Sequence, residues 1–329
     1  VEKSNQTGAL NATSKPVPSQ LSLGTRKSFE ERALKNAQFQ LWPEAVRGVP
    51  NTILRSGLFA AVGRGPRRFM ERQEIAALKG ITIHYTGQRL TQSDLDVWGG
   101  VLHLARLVPL GDSIEFTEKG FLRMIGRGGD GGRSLGKSDR LWLRKVFARL
   151  CATTVEVQHG LISYSGSLIE EYWRDAESGR YVMKLNRRMI LLFGHDSWTG
   201  LDWAVRQELR GQPLAQWLHG FYSTHADPLR YRYETLHDLC GSDAGAGAQS
   251  DVELNKAVSD WRDHSMRPAF EAVKAACEKF DLTFDWCLEP NGLVKVSRAP
   301  TNAQKKHLRR KRRPQLAQSK GDSMHGQGG

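Results

Sequence analysis

At 329 residues, with 39% hydrophobic and 25% charged side chains, the chain has an ordinary globular balance and is long enough for two domains with cores of their own. Its net charge of +13 points to a polyanionic partner, either nucleic acid or an acidic membrane surface. No apolar run approaches the roughly 18 residues of a membrane span, and the first thirty residues lack the apolar segment of a signal peptide; Cys151, Cys240, Cys277 and Cys287 form no Cys-x-x-Cys pair and read as reduced core thiols.

Residues 1–40 are rich in Ser, Thr, Asn, Gln and Lys and carry few large apolar side chains, so they cannot offset the entropy of ordering and are predicted to be a flexible arm. A start at Val1 without methionine suggests that an earlier start was removed. Where the arm ends, Gln38-Phe39-Gln40-Leu41-Trp42 resembles the short peptides that bacterial replication proteins insert into the sliding clamp, which makes Gln38, Leu41 and Trp42 candidate clamp-binding residues. The alternative is that Leu41 and Trp42 dock on the edge of the first domain.

A first domain is predicted over 41–195. Its first ordered run is Asn51 to Phe59; Ile81 to Tyr85 alternates as a strand that Gly87 turns, and Asp94 is expected to cap a helix with Leu95, Trp98, Leu102 and Ala105 facing inward. Then come a strand at Ile114 to Phe116, a helix from Thr117 to Ile125 stopped by Gly126, a Gly-rich loop, a helix from Lys137 to Leu150, and a strand-turn-strand from Thr153 to Ser165.

The second domain, 196–298, has the same order. A short strand at Tyr231 to Tyr233 leads into a helix, Glu234 to Cys240, stopped by Gly241. After a polar Gly/Ala loop, Phe270, Val273, Cys277 and Phe280 share one helical face, and Arg262, His264, Arg267 and Lys274 share the other. Thr283 to Leu288 and Leu293 to Val296 form a hairpin through Asn291-Gly292, with Lys295 on its second strand. Helix, turn, basic helix and hairpin is the order of a winged helix. An offset of 115 lays Phe116, Phe121 and Gly126 on Tyr231, Leu236 and Gly241, and an offset of 130 lays Leu143, Phe147, Leu150 and Thr154 on Val273, Cys277, Phe280 and Phe284. The predicted fold is therefore α+β, with tandem winged-helix domains between the arm and a basic tail, 299–329.

Candidate DNA-binding residues are Arg133, Lys137, Ser138, Arg140, Arg144 and Lys145 in the first domain, and Arg262, His264, Arg267, Lys274 and Lys295 in the second. Arginine forks suit guanine edges and phosphates alike, so residue type does not separate base readers from anchors. Arg127, Arg133 and Lys137 are placed on a mobile loop that meets phosphates. Seven of the nine residues from Lys305 to Arg313 are Lys or Arg, and taking them from +13 leaves +6 for the rest. That tail suits DNA better than lipid, since it has no amphipathic partner helix.

Two enzymatic readings compete. Gly131 to Ser138 satisfies the phosphate-loop pattern G-x-x-x-x-G-K-S, but Phe121 to Ile125 reads as a helix where a P-loop NTPase needs a buried strand. Nicking initiators need a His-hydrophobic-His pair, and none of the ten histidines stands two residues from another. No metal, cofactor or catalytic group is expected, and His219 and His225 read as structural.

Trp42-Pro43-Glu44, Val49-Pro50-Asn51, Arg55-Ser56-Gly57-Leu58-Phe59, Tyr85-Thr86-Gly87, Leu150 with Ala152-Thr153, Cys240-Gly241-Ser242-Asp243 and Trp261-Arg262 stand in an order that resembles TrfA-type plasmid replication initiators. The resemblance runs from about Trp42 to Arg298. It implies a non-enzymatic protein that binds double-stranded DNA at tandem origin iterons, helps open AT-rich DNA, and engages host DnaA, the replicative helicase and the sliding clamp. It also implies a monomer-dimer equilibrium and a place in the bacterial cytoplasm beside the plasmid. The clamp-like peptide lacks the family's Leu-x-Leu-Phe ending. A winged-helix transcriptional repressor is the alternative within the same fold.

Overall fold

The computed structural model describes residues 31–35, 37–63, 65–128, 134–160, 162–194, 197–306 and 308–309. Of the expected arm, 1–30 and residue 36 lie outside that set, and the end of the arm is not free. Phe39 and Trp42 are buried, with Phe39 4.4 Å from the ring of Phe193 and Trp42 stacked on the same ring at 6.1 Å. Gly48 leaves room for the indole, because a Cβ there would stand 2.8 Å from it. The strap holds because two large aromatic surfaces leave water together, which outweighs the polar composition around them.

Strand β1 (Val46–Pro50) follows the strap and pairs antiparallel with β11 (Trp198–Asp202), so both ends of the first hydrophobic cluster are tied together. Between them run α1 (Asn51–Leu54), β2 (Phe59–Ala60), β3 (Phe69–Glu74), β4 (Ile81–Gln88), β5 (Leu90–Thr91) and α2 (Gln92–Ala105). Gly87 lies inside β4 rather than turning it, at φ +141°, with the Tyr85 hydroxyl where a Cβ would be. Thr91, not Asp94, is the N-cap of α2; Asp94 is the third residue of a capping box and accepts the Thr91 amide at 2.8 Å. Asp94 is wholly buried, and Arg67 and Arg149 each approach its carboxylate to 2.6 Å.

Next come β6 (Ile114–Thr117), α3 (Glu118–Met124), α4 (Lys137–Cys151), β7 (Thr154–His159), β8 (Ile162–Gly166), β9 (Glu171–Arg174) and β10 (Arg180–Lys184). Here the structure corrects the sequence reading. The hairpin expected behind the helix, β7 and β8, pairs away from it in a four-stranded sheet ordered β3-β4-β7-β8. The hairpin that joins β6 is the next one, in the order β6-β10-β9. Local alternation marks a strand but does not choose its partner: β7 pairs with β4 and β8 with β7, and Val155, Val157 and Tyr164 on them are buried.

A 3₁₀ turn, Arg187–Phe193, precedes β11, and the chain then enters a second hydrophobic cluster that begins at Val205. It contains α5 (Trp203–Glu208), α6 (Pro213–Ser223), β12 (Tyr231–Arg232), α7 (Tyr233–Leu239), α8 (Asp251–Trp261), α9 (Arg267–Lys279), β13 (Phe284–Leu288) and β14 (Leu293–Arg298). Its sheet runs β12-β14-β13. Helix, strand, helix, helix and hairpin thus recur, α2-β6-α3-α4-β9-β10 and then α6-β12-α7-α9-β13-β14, with the first strand beside the last in both sheets.

Helices α8 and α9 are continuous through a π-helical turn, Arg262–Met266. Pro268 explains it: the ring has no N–H for the His264 carbonyl and would clash with it, so the backbone widens just upstream. Among the described residues no helix is long and apolar enough to cross a membrane, and no His/Cys/Asp/Glu group is arranged to hold a metal. The four thiols are free; Cys240 and Cys277 are buried, whereas Cys287 is exposed, because alternate β13 side chains face outward.

Candidate nucleic-acid interface

Helix α4 buries Leu143, Val146, Phe147 and Leu150 and turns Lys137, Ser138, Arg140, Arg144 and Lys145 outward. Its start is fixed by Asp139, which accepts the Gly136 amide at 3.1 Å and meets the Arg127 guanidinium at 3.1 Å. Arg127 also lies 3.4 Å above the ring of Trp142.

The outward arginines share one carboxylate. Glu118, buried in the first turn of α3, accepts from Arg144 at 3.0 Å and has Arg174 at 3.7 Å and Arg140 at 4.0 Å; Tyr181 donates to it at 3.4 Å. The hydrogen bond to Glu118 raises the Arg144 pKa, and burial pushes Tyr181 up to about 12, so its hydroxyl keeps its proton. Three guanidiniums around one carboxylate leave a net positive patch whose side chains are already directed. Sequence reasoning missed Glu118, Arg174 and Tyr181 because they come from three different elements; the only local signal was an acidic residue at a helix start.

The second helix carries its charge differently. Asp263 binds Arg262 at 2.9 and 2.5 Å and Arg267 at 3.0 Å, and Arg262 lies 5.1 Å over the ring of Tyr233. The two arginines hold the Asp263 carboxyl down at about 2, and Asp263 in turn raises Arg262. Arg262 and His264 sit in the π turn, Arg267 opens α9, and His264 and Arg267 are exposed. Lys274 is drawn aside to Asp285 of β13 at 2.9 Å, while Lys295 is exposed on β14. Phe280, expected to face inward, is 37% exposed, because the helix ends at Lys279. Arg133 lies outside the described residues.

Two expectations meet obstacles. Residues 121–124 are helix, the carboxylate of Asp139 occupies the start of α4 where a phosphate would sit, and the sole parallel pairing among the described strands joins the two-residue β2 and β5; that is not a strand-to-phosphate-loop arrangement. Trp42, offered as a clamp anchor, is 4% exposed and donates to Nδ1 of buried His103 at 3.0 Å. Gln38 and Leu41 remain exposed, but the aromatic that a clamp pocket would take already fills the core.

Nε2 of His103 meets Glu44 at 2.9 Å, so that ring nitrogen is partnered through a carboxylate although burial lowers its basicity. His219 is buried with its Nδ1 unpartnered among the described residues, and burial holds it near 3; His225 bonds Phe221 and Tyr231 and is held near 4. Neither lies in a metal-ligand set among the described residues.

The chain matches the family described as TrfA protein over residues 11–270. The plasmid replication initiator protein TrfA of Escherichia coli is 27% identical over 263 residues, which cover 78% of this chain and 62% of that protein. The chain thus spans less than two thirds of that relative's length. A crystal structure of domains 2 and 3 of RctB aligns with a TM-score of 0.43 and 11% identity, covering 75% of this chain and 96% of that one.

Proposed function

The chain belongs to the TrfA protein family, and from that premise we propose that it is a plasmid replication initiator that reads duplex DNA through two tandem winged helices. The observation that carries the reading is the placement of α4 and α9: each is the last helix of the same element order, and each exposes basic side chains beside a three-stranded sheet. In this reading the domains are 41–195 and 196–298. Lys137, Ser138, Arg140, Arg144 and Lys145 face one major groove, and Arg262, His264 and Arg267 face the next. Lys295 and the basic tail contact phosphates. Units related head to tail read a non-palindromic site about two helical turns long, as tandem iterons provide.

Opening of AT-rich DNA, and engagement of DnaA, the replicative helicase and the clamp, belong to the same proposal, as do a monomer-dimer equilibrium and a cytoplasmic setting. The clamp contact would have to use Gln38 and Leu41 without Trp42. Nuclease footprinting on the parent replicon tests the core of it. Protection of several direct repeats with distortion of adjacent AT-rich DNA is the expected result. Protection of one promoter site would make the protein a repressor, and protection nowhere would remove the DNA-reading function.

A further inference from the structure

Two of the stretches that carry the family resemblance, Arg55-Ser56-Gly57-Leu58-Phe59 and Cys240-Gly241-Ser242-Asp243, lie far apart in sequence and touch in space. A Cβ on Gly57 would stand 3.2 Å from the Gly241 nitrogen and 3.3 Å from the Leu239 carbonyl oxygen. Gly241 has φ +64°, and a Cβ there would meet Ala60 at 3.2 Å, so the two backbones approach as closely as glycine permits. Around that point the two cores are stitched together. The Ala61 amide donates to the Cys240 carbonyl at 2.8 Å, Trp217 Nε1 to the Ser56 carbonyl at 3.0 Å, and Arg55 to the Thr224 hydroxyl and carbonyl, both at 2.8 Å.

Arg89 closes the seam. Its Nη1 contacts both carboxylate oxygens of Asp243 at 2.5 Å, and its Nη2 donates to the Gly241 carbonyl. Deeper in, Arg206 donates to Asp96 at 2.5 Å, to the Gln92 side chain at 3.0 Å and to the Gln216 carbonyl at 3.1 Å, and all four residues are buried. Buried guanidiniums and touching backbones leave little freedom to rotate, because any slip strips hydrogen bonds from the Arg89 and Arg206 guanidiniums, which are largely shut off from water.

The seam also connects the two basic helices. Arg89 stands two residues before Thr91, the N-cap of α2, which packs on α4. Asp243 stands in the turn that leaves α7 for α8 and α9. We propose that this seam is a spacing ruler: Arg89 and Asp243 are positioning residues that fix the distance and rotational phase between the two reading helices, so that the chain accepts one separation of half-sites. The inference rests on the DNA-reading function proposed above.

The physical consequence is sharp, because one inserted base pair turns the second half-site by about 36° and moves it about 3.4 Å. The test uses the full chain and a duplex that it selects from random-sequence DNA. One to five base pairs are then inserted between the two footprints. The wild-type chain is expected to lose affinity roughly a hundredfold on the first insertion, and Arg89→Ala and Asp243→Asn only about tenfold, with binding to each isolated half-site unchanged. A merely structural role would weaken every spacing alike. Should Arg89→Ala fail to fold, Asp243→Asn carries the comparison, since that carboxylate is half exposed. A wild-type spacing profile in the folded variants, or a wild-type chain indifferent to insertion, overturns the ruler. Failure to select any duplex would instead bring down the DNA-reading function on which it rests.

Discussion

The two basic helices reach similar surfaces by different electrostatics. In the first unit the counter-ion is Glu118, buried on a neighbouring helix and shared by Arg140, Arg144 and Arg174. In the second it is Asp263, 39% exposed, on the same stretch as the arginines it binds and four residues from Arg267. An exposed i,i+4 pair is worth little, so Arg267 can leave Asp263 for another anion at small cost. For Arg144 the same exchange would leave a buried carboxylate short of a partner, which costs more. The first basic helix is therefore set by tertiary packing, and the second is adjustable within one helix.

The largest effect expected concerns a part that only the first unit has. Trp42→Ala removes an indole packed on Phe193 and bonded to His103, and should destabilise the chain by about 3 to 5 kcal/mol in urea unfolding. A change under about 1 kcal/mol, with loss of clamp binding instead, would restore Trp42 as a clamp anchor.

Acid should separate the units next. His219 and His225 of the second unit have folded values of about 3 and about 4, below that of a free imidazole. Between those values and about 6.5 the unfolded chain binds protons that the folded one refuses. Stability is thus complete above neutrality and falls as pH drops through 6.5, by roughly 2 kcal/mol per histidine at pH 5. Burial lowers His103 of the first unit as well, but Glu44 against its ring opposes that shift, so amide exchange at pH 5 should quicken in α6 and α9 before α2. Equal protection of both units at that pH would contradict the contrast.

Removing the counter-ions compares the two basic helices directly. Glu118→Ala should cost about 2 kcal/mol of stability, discounted for the partial exposure of its arginines, and Asp263→Ala under about 1. Thermal unfolding of the two variants checks it, and equal shifts would erase the distinction. The last comparison is of binding, not folding: Arg267→Ala should weaken specific DNA binding by roughly 1 to 3 kcal/mol, and an equal loss on random DNA would make it a phosphate contact.

Much of the fold was legible because its signals are local. Gly126 and Gly241 stop helices at φ +73° and +64°, Asn291-Gly292 turns a hairpin, and the spacing of Leu143, Phe147 and Leu150 marks a buried face. Offsets of 115 and 130 carry α3 onto α7 and the start of α4 onto that of α9. Beyond Leu150 the second offset fails, because it lands on β7 and β8 whereas β9 and β10 supply the hairpin beside β6. Both pairs alternate properly, and nothing local says which one reaches β6.

By itself the sequence determined where helices start and stop, which faces are apolar, that the chain is basic, and that a strand, helix, helix order occurs twice; each follows from residue types and their spacing along the chain, without any contact between distant segments. The tertiary structure alone decided that Phe39 and Trp42 are core, that Glu118 gathers three arginines, that Lys274 turns toward Asp285, and that Arg89 reaches Asp243 across the seam. Those depend on which surfaces meet, and burial and charge pairing between distant segments are set by the whole packing, not by any one stretch of chain.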